Sequence, residues 1–169
     1  MPWEHLPERP SMELTVEQIE KAEEARKGIN PIGVCGLYCR YCSTKVMCGG
    51  CRSDYNSCSL AGLKEYNGIC PNVKCAKEKE LPGCWECSDI LVCKNGFYAR
   101  KRVSFAKASA MFIQKYGEKN FIKTIDGIFN IDEQTGHYFF SARIGNINNK
   151  LELLEKYLVK YDERELFED

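Results

Sequence analysis

The chain has 169 residues, 44% of them hydrophobic, with 24 basic and 24 acidic side chains. That length suits one ordinary domain or two small ones, and that apolar fraction excludes a disordered tail. No run approaches the roughly eighteen apolar residues of a membrane span, and zero formal net charge gives no overall pull toward nucleic acid or an anionic surface.

Residues 1–34 open with a Pro-rich lead (Pro2, Pro7, Pro10) that carries Glu4 and Glu8 and no apolar run. No secretory signal is expected there, so the cytoplasm is the expected compartment. A helix is predicted over about Thr15–Lys27. Thr15 and Gln18 have the spacing of a capping box, and Gly28 and Pro31 stop it. Its apolar side (Val16, Ile19, Ala22, Ala25) is thin, which predicts packing on the surface of something larger.

Residues 35–98 hold all eleven cysteines. Gly49-Gly50, Asn67-Gly68, Pro71-Asn72 and Pro82-Gly83 recur between them, which is turn chemistry, and no sustained helical or strand period is visible. A segment this poor in large apolar side chains needs a staple.

Residues 99–169 read as a helical unit. Phe105, Ala108, Phe112 and Tyr116 form one stripe closed by Gly117; Phe121, Ile122, Ile125 and Phe129 form a second. Phe139, Phe140, Ala142 and Ile144 predict a short strand or buried connection. Leu151, Leu154, Leu158 and Tyr161 predict a last helix from about Asn148. These stripes read as core packing. The fold class that follows is a small α+β protein: an irregular, metal-stapled Cys-rich module followed by a mainly helical half. Charge is uneven along it. Residues 94–144 carry nine basic and four acidic side chains, between acidic ends that can neutralise them.

The cysteines fall in short pairs: Cys39 with Cys42, Cys48 with Cys51, Cys84 with Cys87, and the wider Cys70 with Cys75. Two intervening residues make a tight turn with both thiols on one side, so each pair can converge on a cation. In a reducing compartment such thiols are ligands rather than disulfides, and an odd count cannot fully pair. His5 and His137 lie outside the cluster, so the sites are expected to be all-thiolate. Two arrangements stay open. Cys39, Cys42, Cys48 and Cys51 can share one metal, with Cys70, Cys75, Cys84 and Cys87 on a second. Alternatively, alternate pairs interleave. Cys35 and Cys93 are further candidate ligands, and Cys58 is expected to be a free or buried thiol. Four thiolates suit zinc or an iron–sulfur cluster.

The run Cys35-Gly36-Leu37-Tyr38-Cys39-Arg40-Tyr41-Cys42, then Cys48-Gly49-Gly50-Cys51-Arg52, Cys70, Cys75-Ala76-Lys77-Glu78-Lys79, Cys84-Trp85-Glu86-Cys87 and Cys93, resembles a prokaryotic Cys-rich family catalogued as domain of unknown function 3795. The resemblance covers about residues 33–98. It implies a zinc-binding protein without an established activity. Ser43 and Val92 depart from it, standing where members often carry Pro.

Three functions are therefore weighed. The favoured one is a cytoplasmic, non-enzymatic protein with two structural zinc sites and a role in interaction with a protein partner. The second is an iron–sulfur protein. In its sharpest form this is a radical S-adenosylmethionine-type enzyme, because Cys35, Cys39 and Cys42 have that family's spacing and Ile32-Gly33-Val34 could end a first barrel strand. Length opposes it, since a partial barrel of six units needs roughly 190 residues. The third is a weak nucleic-acid binder built on Arg100-Lys101-Arg102 beside Phe97 and Tyr98; a solvated basic turn is the simpler reading. No phosphate loop, nucleophile elbow or acid/base pair is present, and Asp126, Asp132 and His137 stand in no catalytic pattern.

Overall fold

The computed structural model describes residues 15–39, 50–57, 68–99, 104–131 and 147–167. Among these residues the chain forms five α-helices: α1 (Val16–Arg26), α2 (Pro71–Glu78), α3 (Ser104–Tyr116), α4 (Glu118–Ile131) and α5 (Ile147–Phe167). Two short 3-10 turns, Cys84–Glu86 and Gly96–Ala99, lie between α2 and α3.

The α+β expectation is overturned: the described residues contain no strand. The nearest approach is an isolated antiparallel bridge between Ile32 and Tyr38. It cannot extend into a ladder. The next pair outward is Pro31 with Cys39, where the Cys39 amide donates to the Pro31 carbonyl at 2.8 Å but proline has no N–H to return. The strand expected around Phe139–Ile144 lies outside the described residues.

The predicted helices have physical starts and stops. Thr15 caps α1 in both directions: the Gln18 amide donates to Thr15 Oγ1 at 3.2 Å and the Thr15 amide donates to Gln18 Oε1 at 3.0 Å. Only Ala22 of α1 is buried, in keeping with its thin apolar side. Gly117, at φ +87, turns the chain from α3 into α4. The helix α2 was not expected, because the Cys-rich segment shows no helical period. Pro71 occupies its first turn, where a missing N–H costs nothing, and its inward side consists of Asn72, Val73 and Ala76. A face with two small apolar residues and an amide carries almost no periodic signal.

Helix α2 ends in a Schellman motif. The Glu80 amide donates to the Lys77 carbonyl at 3.1 Å and the Leu81 amide to the Ala76 carbonyl at 2.8 Å. Glu80 holds φ +55, the left-handed conformation normally given to glycine. Glu80→Gly is therefore expected to raise stability by about 0.5–1 kcal/mol, read as a rise in the thermal midpoint.

Helices α3, α4 and α5 pack on one another, and α3 also packs against both 3-10 turns. The main core runs through that contact. Phe112, Ile113, Phe121, Ile125, Ile128, Leu154 and Leu158 come from the helices; Ile32, Tyr38, Trp85, Ile90 and Tyr98 enter from the Cys-rich side. A smaller cluster of Val34, Cys51, Cys70, Val73 and Ala76 lies within the Cys-rich segment. The Cys-rich segment and the helices thus share one core across α3.

The helical unit also buries a lysine. Lys150 on α5 is fully inaccessible, its ammonium 5.5 Å from the centre of the Phe105 ring. Burial pushes it down to about 8. A lysine lowered in the native state binds fewer protons there than in the unfolded chain. Its stabilising share is therefore complete above the unfolded value near 10.5 and lost as pH falls through about 8. Lys150→Met is expected to be the more stable protein at pH 7 by about 1–3 kcal/mol. The gap should close as pH approaches 10, as paired urea titrations at the two pH values would read.

Candidate metal centre

Eight cysteines lie in the described residues, all as thiols: Cys35, Cys39, Cys51, Cys70, Cys75, Cys84, Cys87 and Cys93. Cys42, Cys48 and Cys58 lie outside the described residues. The eight fall into two sets.

The inner set is Cys35, Cys39, Cys51 and Cys70. All four line one cavity of about 30 Å³, with Val34, Leu37, Val73 and Phe97 in its wall. Cys51 and Cys70 are buried. Cys51 and Cys70, which a sequential pairing assigns to different metals, therefore face the same void. The Cys35–Cys39 turn is fixed by the Gly33 amide donating to the Leu37 carbonyl at 2.7 Å, and by the Tyr98 hydroxyl donating to the Cys35 carbonyl at 2.5 Å. Tyr38 anchors the turn to α4, edge-on to Phe121 with ring centres 5.8 Å apart and its hydroxyl 3.4 Å from Asp126 Oδ2.

The outer set is Cys75, Cys84, Cys87 and Cys93, none of them fully buried. Cys84 is within electrostatic reach of both Cys93 and Cys75. Lys79 stands beside Cys75 and Cys87, and its Nζ donates to Cys87 Sγ at 3.5 Å. The 3-10 turn Cys84–Glu86 brings Cys84 and Cys87 together, the Cys87 amide donating to the Cys84 carbonyl at 3.1 Å. Gly83 and Trp85 shape this turn: a Cβ on Gly83 would lie 2.3 Å from the Trp85 indole.

Three side chains join the segments, and sequence reasoning assigned none of them to the thiol sites. Arg52 donates to the Ile32 carbonyl at 2.9 Å and to the Pro82 carbonyl at 2.7 Å, with its guanidinium 5.6 Å from the centre of Trp85. Asn72, 2% exposed, has its Nδ2 on the Asn95 carbonyl at 3.2 Å and its Oδ1 on the Phe97 amide at 2.7 Å. It also reaches a sulfur of each set, Cys70 at 3.7 Å and Cys84 at 4.0 Å. Tyr98 meets Cys84 as well as Cys35. The available signals were Arg52 directly after a cysteine and a polar residue, Asn72, directly after Pro71.

Burial dominates the electrostatics. It pushes the Cys84 thiol up to about 11 and raises Cys51 in the same sense; the Val34 amide, donating to Cys51 Sγ at 3.3 Å, opposes the rise. Burial, followed by the charges of Cys35 and Cys84, lifts the Tyr98 phenol well above its ordinary range. Both thiols are protonated at neutral pH, so any metal taken up there displaces protons. Among the described residues, no three His, Cys, Asp or Glu side chains converge closely enough to hold an ion.

The other candidate features fare differently. Phe97 lies edge-on to Phe105 with ring centres 6.4 Å apart, and Tyr98 is buried, so both rings serve packing. Arg100, Lys101 and Arg102 lie outside the described residues. Ile32-Gly33-Val34 enters a turn rather than a barrel strand. No helix among the described residues is long and apolar enough to cross a membrane.

A helical scaffold that gathers thiols from three separated stretches defines a Cys-rich protein. Residues 43–97 match the family model described as Protein of unknown function (DUF3795), the family the cysteine pattern resembles. The match takes in most of the Cys-rich segment and leaves α3, α4 and α5 outside it. No curated protein and no solved structure matches the chain.

Proposed function

We propose that this chain is a cytoplasmic zinc protein whose cysteines hold two ions in all-thiolate structural sites. The observation that carries the reading is the inner set: Cys35, Cys39, Cys51 and Cys70 lining one small cavity. An inert cysteine behaves as a small apolar residue, and close packing alone gives no reason to ring a void with four of them. A cavity of about 30 Å³ takes about two water-sized bodies. A single cation held by four thiolates suits so small a void. The donor chemistry agrees, since four thiolates close a tetrahedral zinc site and leave no open position for catalysis.

Cys35, Cys39, Cys51 and Cys70 would hold one ion, and Cys75, Cys84, Cys87 and Cys93 the other. When bound, the metal supplies a cross-link and on the order of 10 kcal/mol of folding free energy. The chain's own residues set the geometry. Arg52 ties the Cys51 segment to the Ile32 and Pro82 backbones. Tyr98 fixes the Cys35 turn, and α3 provides the surface on which the Cys-rich segment is laid.

Protein purified without oxygen is expected to carry about two zinc per chain and no visible absorbance. Stripping with a strong chelator is expected to unfold the Cys-rich segment, read as loss of the near-ultraviolet signal of buried Trp85. Iron with sulfide, or a metal-free chain that stays folded, would overturn the reading.

A further inference from the structure

Helix α1 meets the segment around Cys51 at Arg26: a Cβ on Gly50 would lie 3.4 Å from Arg26 Cγ. Alongside that contact a cleft of about 580 Å³ opens between the two segments. Lys21 and Ala25 line it from α1, Ile29 from the chain just beyond the helix, and Ser53, Asp54 and Tyr55 from the turn after Cys51. That volume falls within the roughly 300–1,000 Å³ of small-ligand sites. None of the six residues is a cysteine.

The turn is braced by its own polar groups and by α2. Ser53 Oγ donates to the Gly50 carbonyl at 2.8 Å and accepts from the Tyr55 amide at 3.2 Å. The Asn56 amide donates to the Ser53 carbonyl at 3.0 Å, and the Cys70 amide donates to the Asn56 carbonyl at 2.9 Å. Lys77 Nζ on α2 donates to Asn56 Oδ1 at 2.6 Å. The charged groups at the cleft are the exception to this pairing. Among the described residues, neither Lys21 nor Asp54 makes an ion pair, with each other or with a third group. Tyr55 is half-buried, yet its hydroxyl makes no hydrogen bond and its ring meets no other ring among those residues. The nearby Lys27, by contrast, is spent on Glu24 at 2.7 Å.

A lone surface charge is solvated and needs no ligand. Here both signs line one cleft without pairing, on segments whose backbone is already held, and apolar Ala25 and Ile29 stand with them beside an unstacked ring. A molecule that satisfies all of these carries an anion, a cation and an apolar group on one small frame, which describes an amino-acid zwitterion. We propose that this cleft binds the zwitterion of an apolar amino acid, or of a short peptide with free ends. Lys21 takes the carboxylate, Asp54 takes the ammonium, and Ala25, Ile29 and Tyr55 receive the apolar side chain. Hydrogen bonds between ionised partners are the strong ones, so each end of the ligand is read separately. The site is independent of the zinc reading above and adds a small-molecule function to it.

The test is isothermal titration calorimetry of the full chain with leucine and with leucyl-leucine, each beside its N-acetyl derivative, which lacks the ammonium, and its amide, which lacks the carboxylate. The better-bound zwitterion should exceed both of its derivatives by about tenfold. Which of the two is better bound reads the span between the charges. Lys21→Gln should erase the penalty of the amide and keep that of the acetyl group; Asp54→Asn should do the reverse. Both substitutions change exposed side chains, so helical circular dichroism should match the parent's. No binding of either zwitterion would overturn the proposal, and so would binding that both variants leave unchanged. Neither result touches the zinc reading, which zinc content tests separately.

Discussion

Gly36→Ala is expected to destabilise the protein by about 3–5 kcal/mol, a large part of a typical domain's stability. Two costs combine. Gly36 holds φ +93, a backbone conformation that an L side chain adopts only with strain. A Cβ there would also lie 2.7 Å from the Ala106 carbonyl oxygen and 2.8 Å from the Ala110 amide nitrogen. Both are backbone atoms of α3 and cannot rotate aside. The turn would have to lift off the helix, carrying Cys35 and Cys39 away from Cys51 and Cys70. Gly117 separates the two costs. It has φ +87, but a methyl group there would meet nothing within 4 Å, so Gly117→Ala should carry only the conformational cost, about 1 kcal/mol. Urea titrations of the two variants give the steric share by difference. Equal losses would mean that the Cys35 turn does not seat on α3.

This contact gives a physical reason for the Cys-Gly-Leu opening of the cysteine pattern. The pattern was visible as a resemblance; its cause was not, because the atoms that exclude a side chain at position 36 belong to residues 106 and 110. The same distinction runs through the chain. Helices α1, α3, α4 and α5 were legible because capping and apolar spacing are local: Thr15 with Gln18, Phe112 with Tyr116, Leu154 with Leu158. Helix α2 was not, since its buried face is Asn72, Val73 and Ala76, a set with no hydrophobic period. Among the described residues the strand content was over-read. Apolar residues such as Ile32 and Tyr38 meet across a tight glycine turn, and Pro31 ends the pairing after one bridge. Within the candidate site, the types and spacing of the thiols were plain, but their grouping was not. Cys51 meets Cys70 only because α2 lies over the Val34 turn, and the distance between those residues in sequence carries no trace of that.

Asn72 is where the two thiol sets depend on each other, and its replacement should show it. Asn72→Ala is expected to cost about 3 kcal/mol: it strands the Phe97 amide and the Asn95 carbonyl, which the buried amide now satisfies, and opens a void beneath Gly96. A purely structural loss would be felt equally by every part of the fold. The hydrogen bonds argue for more. Oδ1 faces the Cys70 sulfur of the inner set, while Nδ2 faces the Cys84 sulfur of the outer set. One planar group thus reaches both sulfurs, which would belong to different ions in the proposed sites. Asn72→Asp tests this, because it keeps the shape and the acceptor for the Phe97 amide while removing the donor to Cys84 and to the Asn95 carbonyl and adding a negative charge between sulfurs that must themselves be anionic to bind metal. It should fold with α3, α4 and α5 intact, as helical circular dichroism would record. It should nevertheless bind zinc more weakly at both sets, by about tenfold or more in competition titrations. If only the outer set weakens, Asn72 serves Cys84 alone and the two sites are independent. If neither weakens, the amide acts only as a backbone brace for the Gly96–Ala99 turn.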